Sequence, residues 1–213
     1  MRNLCLTIGL SFAFAAAAAP PQRVEIAYEI ARGGSVLAEV SQRLEHDGRS
    51  YRLAETWKGK GMYALGGEAR RTSQGAVVAD GLRPQKFEDK RPGRDMRQAS
   101  FVPAAKTATL LRQDQLSFFW SLAFAPPQGV VTASVADGKR VTAYTYEVAG
   151  RERVRTPAGE FDALKLVKRR DNPQDKATEI WLAADRQYVP VRILIVEKDG
   201  TRIDQVAVKI SLQ

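Results

Sequence analysis

Arg151, Arg153 and Arg155 stand two residues apart, a spacing that sets all three guanidinium groups on one face of an extended strand. The rigid donor fork of arginine grips phosphate or carboxylate oxygens in pairs, so the run is a candidate anion contact. The simpler reading is a solvated strand face, with Glu152 and Val154 turned the other way. Aromatic residues form the second candidate. Tyr28, Trp57, Tyr144, Tyr146 and Trp181, together with Phe118, Phe119 and Trp120, are candidates to line an apolar compartment. A ligand would be held there by burial, at about 25 cal/mol for each Å² removed from water. An ordinary filled core accounts for any one of these residues at least as well.

Other chemistry is thinly represented. His46 is the only histidine and sits beside Asp47-Gly48, a hairpin signal, with no Gly-x-Ser-x-Gly elbow to give it a nucleophile. It reads as a solvated turn residue. The carboxylates Glu88-Asp89 precede Lys90-Arg91 and read as a surface ion-pair cluster. Glu179 and Asp185 are the other pair that a glycosidase reading would need to face across a cleft. Lys168, Arg169 and Arg170 add charge at a strand end, where they would discourage edge pairing. No metal-ligand pattern and no cofactor motif is expected from this set, and no catalytic residue is assigned.

The chain opens with Arg2, an apolar run from Leu4 to Phe14 and the tract Ala15 to Ala19, the pattern of a secretory signal peptide. Cleavage after Ala18 divides it into a leader, 1–18, and one β-rich domain, 19–213. The only cysteine, Cys5, leaves with the leader and lies too early in it to be a lipid anchor. The mature chain then has neither thiol chemistry nor disulfides and must be held by its core. Without Arg2 it keeps 32 basic against 24 acidic residues, a formal charge of +8, which favours anionic partners or simply solubility. Nucleic acid is excluded as a partner by location and by the lack of a basic run interleaved with aromatics. No later apolar stretch is long enough to span a bilayer.

The elements that must position these side chains are mostly strands. Val24, Ile26, Tyr28 and Ile30 alternate with polar residues, as do Val36, Ala38 and Val40, then Tyr51, Leu53 and Trp57, then Tyr144, Tyr146 and Val148, and finally Val206 to Leu212. Turn signals at Gly33-Gly34, Asp47-Gly48, Gly66-Gly67, Asp80-Gly81, Pro92-Gly93, Asp137-Gly138, Pro157-Ala158-Gly159 and Asp199-Gly200 punctuate them. Val189 to Val196 is apolar on both faces and should be covered on both sides. The polar stretch Glu68 to Ser100 reads as sheet edge or outer hairpins. One helix is expected, Asp114 to Phe124, capped by Asp114, stopped by Pro126-Pro127, and too apolar to lie on the surface. The fold class is therefore mainly β: a curved antiparallel sheet or open half-barrel, with one apolar helix on or in its concave face.

Asp80-Gly81-Leu82-Arg83-Pro84, the aromatic helix after Asp114, Thr156-Pro157-Ala158-Gly159-Glu160-Phe161, Leu164-Lys165-Leu166, Trp181-Leu182 and Tyr188-Val189-Pro190-Val191-Arg192 follow in an order that resembles the proteobacterial envelope proteins grouped as domain of unknown function 3108. That resemblance implies a largely antiparallel periplasmic β-protein, similar in architecture to the curved half-barrels that carry lipoproteins, and brings no catalytic residue with it. The reading is a periplasmic, non-enzymatic binding or carrier protein for an apolar or lipid-like ligand, with the three arginines meeting an anionic headgroup. The alternative is an envelope assembly or sensor module that binds a protein or cell-wall polymer.

Overall fold

The computed structural model describes residues 20–101 and 111–213; the leader expected at 1–18 lies outside them. Strand periodicity translates directly into elements. Six strands come first: β1 (Arg23–Arg32), β2 (Ser35–His46), β3 (Ser50–Gly59), β4 (Glu68–Val78), β5 (Gly81–Lys90) and β6 (Arg97–Ser100). A short strand β7 (Leu111–Asp114) leads into the helix α1 (Ser117–Phe124). Six more strands complete the chain: β8 (Val130–Ala136), β9 (Val141–Thr156), β10 (Gly159–Lys168), β11 (Ala177–Ala183), β12 (Val189–Val196) and β13 (Arg202–Leu212).

All thirteen strands join one sheet in the order β6-β5-β4-β3-β2-β1-β13-β12-β11-β10-β9-β8-β7. Each half is a run of hairpins, and β1 pairing with β13 fuses them, Val24 opposite Leu212 and Ile26 opposite Ile210. Register shifts between Ala27 and Tyr28, Gln74 and Gly75, Lys165 and Leu166, and Trp181 and Leu182 bend the strands inward. The curvature brings the two ends of the sheet together. β5 approaches β7, and the turn after β8 packs Gly138 against Arg97 of β6. The expectation of an open half-barrel is corrected accordingly: the sheet is a nearly closed barrel. It is also not wholly antiparallel, because β7 runs parallel to β8.

The alternation fills the interior. Val24, Ile26, Tyr28 and Ile30 of β1, Val40 and Leu44 of β2, and Leu53 of β3 are all buried, with Glu25 and Glu39 outside. They share a core with Leu116 and Trp120; a second core gathers Phe118, Leu122, Ala133, Val135, Tyr146, Leu166, Ile180 and Leu182. β12 is covered on both faces as its composition requires, since Val189, Val191 and Leu194 join the first core and Ile193 the second. The expected cover is present, with α1 packed on β12 and on β5. The polar stretch differs from expectation. Only β6 ends the sheet; β4 and β5 are internal, and Ser73, Leu82, Phe87 and Asp89 face inward and are buried. Among the described residues no helix is long and apolar enough to cross a membrane.

Candidate functional site

The place where the barrel wall changes character is the approach of β5 to β7 and α1. Over Gly81–Pro84, β5 runs beyond the end of β6, whose backbone contact with it ends where Phe101 N–H donates to the Gln85 carbonyl. Backbone groups left there would be buried without partners, a costly state. Among the described residues, side chains take the place of a strand: Leu82 N–H donates to Ser121 Oγ at 2.9 Å, and Gln113 Nε2 donates to the Leu82 carbonyl at 2.7 Å. Position 81 has to be glycine for this. Its φ is +117°, and a Cβ there would stand 2.2 Å from Ser121 Oγ.

Asp114 pins the start of the helix. The helix begins at Ser117, later than the sequence suggests, and its N-cap position falls on Leu116 in place of the expected Asp114, which instead fixes the turn leading in: Oδ1 accepts from the N–H groups of Leu116 at 2.9 Å and Ser117 at 2.7 Å. Oδ2 accepts from Ser73 Oγ of β4 at 2.6 Å. With its proton committed there, Ser73 accepts from Tyr51 Oη at 2.8 Å. Burial pushes the Asp114 carboxyl up to about 6, against the lowering effect of these hydrogen bonds.

Beneath the helix runs a buried polar chain. Trp120 Nε1 donates to Gln42 Oε1 at 2.9 Å, and Gln42 Nε2 to Glu55 Oε2 at 2.6 Å. Glu55 Oε1 accepts from Trp57 Nε1 at 2.5 Å and from Arg71 at 3.1 Å. Arg71 lies over the Trp57 ring and 3.6 Å from Asp89, which Arg91 grips through both oxygens. Burial opposes ionisation of Asp89, but the Arg91 hydrogen bonds and the Arg71, Arg91 and Arg97 charges outweigh it and hold the carboxyl below its ordinary range. Asp89 is thus an internal ion-pair residue and no surface cluster; only its neighbour Glu88 lies on the outer side, paired with Lys86. Composition hid this chain, because Glu55, Arg71 and Asp89 are far apart in sequence and meet only through register: Glu55 opposite Arg71, Arg71 opposite Asp89.

The eight expected lining residues fall into two groups. Tyr28, Trp57 and Trp120 share the first core, where Tyr28 Oη donates to the Pro190 carbonyl. Phe118, Phe119, Tyr144 and Tyr146 belong to the second, with the Phe118 ring 5.4 Å from both Phe119 and Tyr146, and Lys168 over Tyr144. Trp181 is buried in the first core as well, flanked by Lys165 and Arg192, its Nε1 donating to Glu152. Three depressions among the described residues, of about 540, 550 and 790 Å³, are lined mainly by polar residues and include only Tyr28 of the eight.

Arg151, Arg153 and Arg155 do share a face of β9. Across the hairpin, Arg153 and Arg155 pair with Glu160, and Arg151 with Asp162 and the Tyr188 hydroxyl. His46 is not a free turn residue: its Nε2 lies 2.8 Å from the Pro20 carbonyl, and its ring meets Phe124 edge-on, tying the segment before β1 to the end of α1. Glu179 is taken by Lys165 and Asp185 by Arg186. Among the described residues no cluster of three His, Cys, Asp or Glu is arranged to hold a metal.

Fold and seam together define a barrel-like β-protein of one sheet, completed by a helix. Residues 112–206 match the family described as "Protein of unknown function (DUF3108)", so the resemblance read from the sequence is borne out over that stretch. No curated protein matches the chain. Among solved structures, a β-barrel-like protein of the unknown-function domain DUF1849 from Brucella abortus is 10% identical, with a TM-score of 0.51 over 91% of this chain and 99% of that one. It shows the barrel-like fold. A candidate exported protein with a YmcC-like fold from Bacteroides fragilis is 12% identical, with a TM-score of 0.44 over 91% and 98%. A candidate lipoprotein from Parabacteroides distasonis is 11% identical, with a TM-score of 0.38 over 90% and 97%.

Proposed function

We propose that this protein is a non-enzymatic binding or carrier protein of the periplasm, and that its apolar interior takes an apolar or lipid-like ligand when α1 lifts from the seam. The observation that carries this reading is the manner of closure. Among the described residues the wall is continuous backbone pairing around most of the barrel, whereas between β5 and β7 it is a helix and a few side-chain hydrogen bonds, with Trp120 wholly buried behind them. Such a wall opens at less cost than a strand ladder, and it uncovers the apolar core around Trp120 beside the polar chain that starts at Gln42. The headgroup contact expected of Arg151, Arg153 and Arg155 would have to compete with Glu160 and Asp162, so it belongs to anionic ligands only.

The test is a native mass spectrum of protein isolated under mild conditions, with lipid analysis of the extract and a titration of Trp120→Ala. A stoichiometric lipid, with affinity lowered in the variant, supports the carrier. A clean apo mass and no binding in titration would retire it. That outcome favours the second reading, a module that binds an envelope protein or cell-wall polymer. The burial of Tyr28 and Trp120, each hydrogen-bonded inside the barrel, supports that alternative, and crosslinking would test it.

A further inference from the structure

Between β3 and β4 the chain makes a 3-10 turn, Gly61–Gly66, that buries none of its residues. Its side chains are apolar all the same: Met62 is 79% exposed, Tyr63 52% and Leu65 94%. Single exposed apolar residues are ordinary; three on one turn are not. The turn is also built to stay out. Lys60 N–H is tied to the Leu37 carbonyl of β2, Tyr63 N–H to the Lys60 carbonyl and Gly67 N–H to that of Ala64. The Tyr63 carbonyl oxygen would lie 2.1 Å from a Cβ at Gly59, so glycine there permits the tight fold-back.

Beside this tip lies the β5–β6 loop, with Pro92 against Gly67. The depression of about 790 Å³ between them is lined by Arg70, Lys90, Arg91 and Arg94 against only Glu68 and Asp95. Lys90 and Arg94 are exposed and, among the described residues, neither is in an ion pair. A convex apolar tip beside cations suits a fluid anionic surface better than a shaped protein groove: the side chains enter the interface while Lys90 and Arg94 meet phosphates. We propose that Met62, Tyr63 and Leu65 dock this protein on an anionic phospholipid bilayer, independently of what its interior holds.

Flotation of the purified protein with phosphatidylcholine vesicles, with and without phosphatidylglycerol, tests this. The protein should float with the anionic vesicles, and Leu65→Glu should weaken binding by about tenfold or more. Lys90→Glu with Arg94→Glu should weaken it too and flatten its dependence on salt. Because these side chains are exposed, both variants should keep the parent's circular dichroism and unfolding midpoint. Equal binding by parent and Leu65→Glu, or no binding by the parent, overturns the proposal. So does light scattering that finds a dimer which Leu65→Glu dissociates, since a second copy would then cover the tip. Native mass spectrometry reads the interior separately, so the carrier reading and this one can fail independently.

Discussion

Asp114 holds a charge-bearing group at the seam, wholly buried, and its titration should be visible in stability. Its folded pKa of about 6 lies above the ordinary 3.8, so between those values the folded chain binds a proton that the unfolded chain has released. Stability from this group is therefore full below about pH 4, falls as pH rises through 6, and is level above, by on the order of 3 kcal/mol in total. Asp89, held low by arginines, acts at lower pH with the opposite sign and cancels in a comparison of variants. The difference in unfolding free energy between parent and Asp114→Asn should change across pH 4 to 6 and be constant above 7. Parallel curves would mean that Asp114 titrates at its ordinary value. Gly81 is the other decisive single residue. Gly81→Ala meets both a positive φ and the Ser121 hydroxyl, and urea unfolding should show a loss of about 2–3 kcal/mol.

The helix joins two cores from opposite sides, Leu116 and Trp120 into one, Phe118 and Leu122 into the other. With neither face free for water, its position is set by packing, and its polar contacts fix only register. Trp120→Ala should cost about 3–5 kcal/mol in chemical unfolding, through the cavity and the loss of the Gln42 partner. Since Leu82 N–H donates to Ser121 Oγ and to no strand, its hydrogen exchange reports the lifting of α1 directly. That amide should exchange at a lower opening free energy than those paired between β1 and β2. Exchange at the global rate would instead mean that helix and barrel open together.

Among the described residues the sheet closes by backbone pairing everywhere except at this seam, so on the carrier reading passage of a ligand should depend on it. Ser121→Ala should speed the release of a fluorescent fatty acid while leaving far-ultraviolet circular dichroism unchanged; identical release rates would place the entrance elsewhere. Much of the architecture is legible in the chain itself. Alternation in Val24 to Ile30 marks an inward face because side chains on a strand alternate by geometry, and Gly33-Gly34 or Asp199-Gly200 mark turns because few other residues accept their dihedrals. The two-faced burial of Val189 to Val196 and the burial of the helix follow from composition alone, since apolar surface on every side must be covered. Closure does not follow, because it depends on bulges such as that opposite Ala27 and Tyr28, whose effect on curvature accumulates over thirteen strands. Nor do the partners of Glu55, Asp89 or Asp114, set by the register of strands distant in sequence, or the division of eight aromatics between two cores. Local periodicity determined which residues turn inward; only the tertiary structure decided whom they meet there, because that depends on long-range pairing and curvature that no short stretch of sequence encodes.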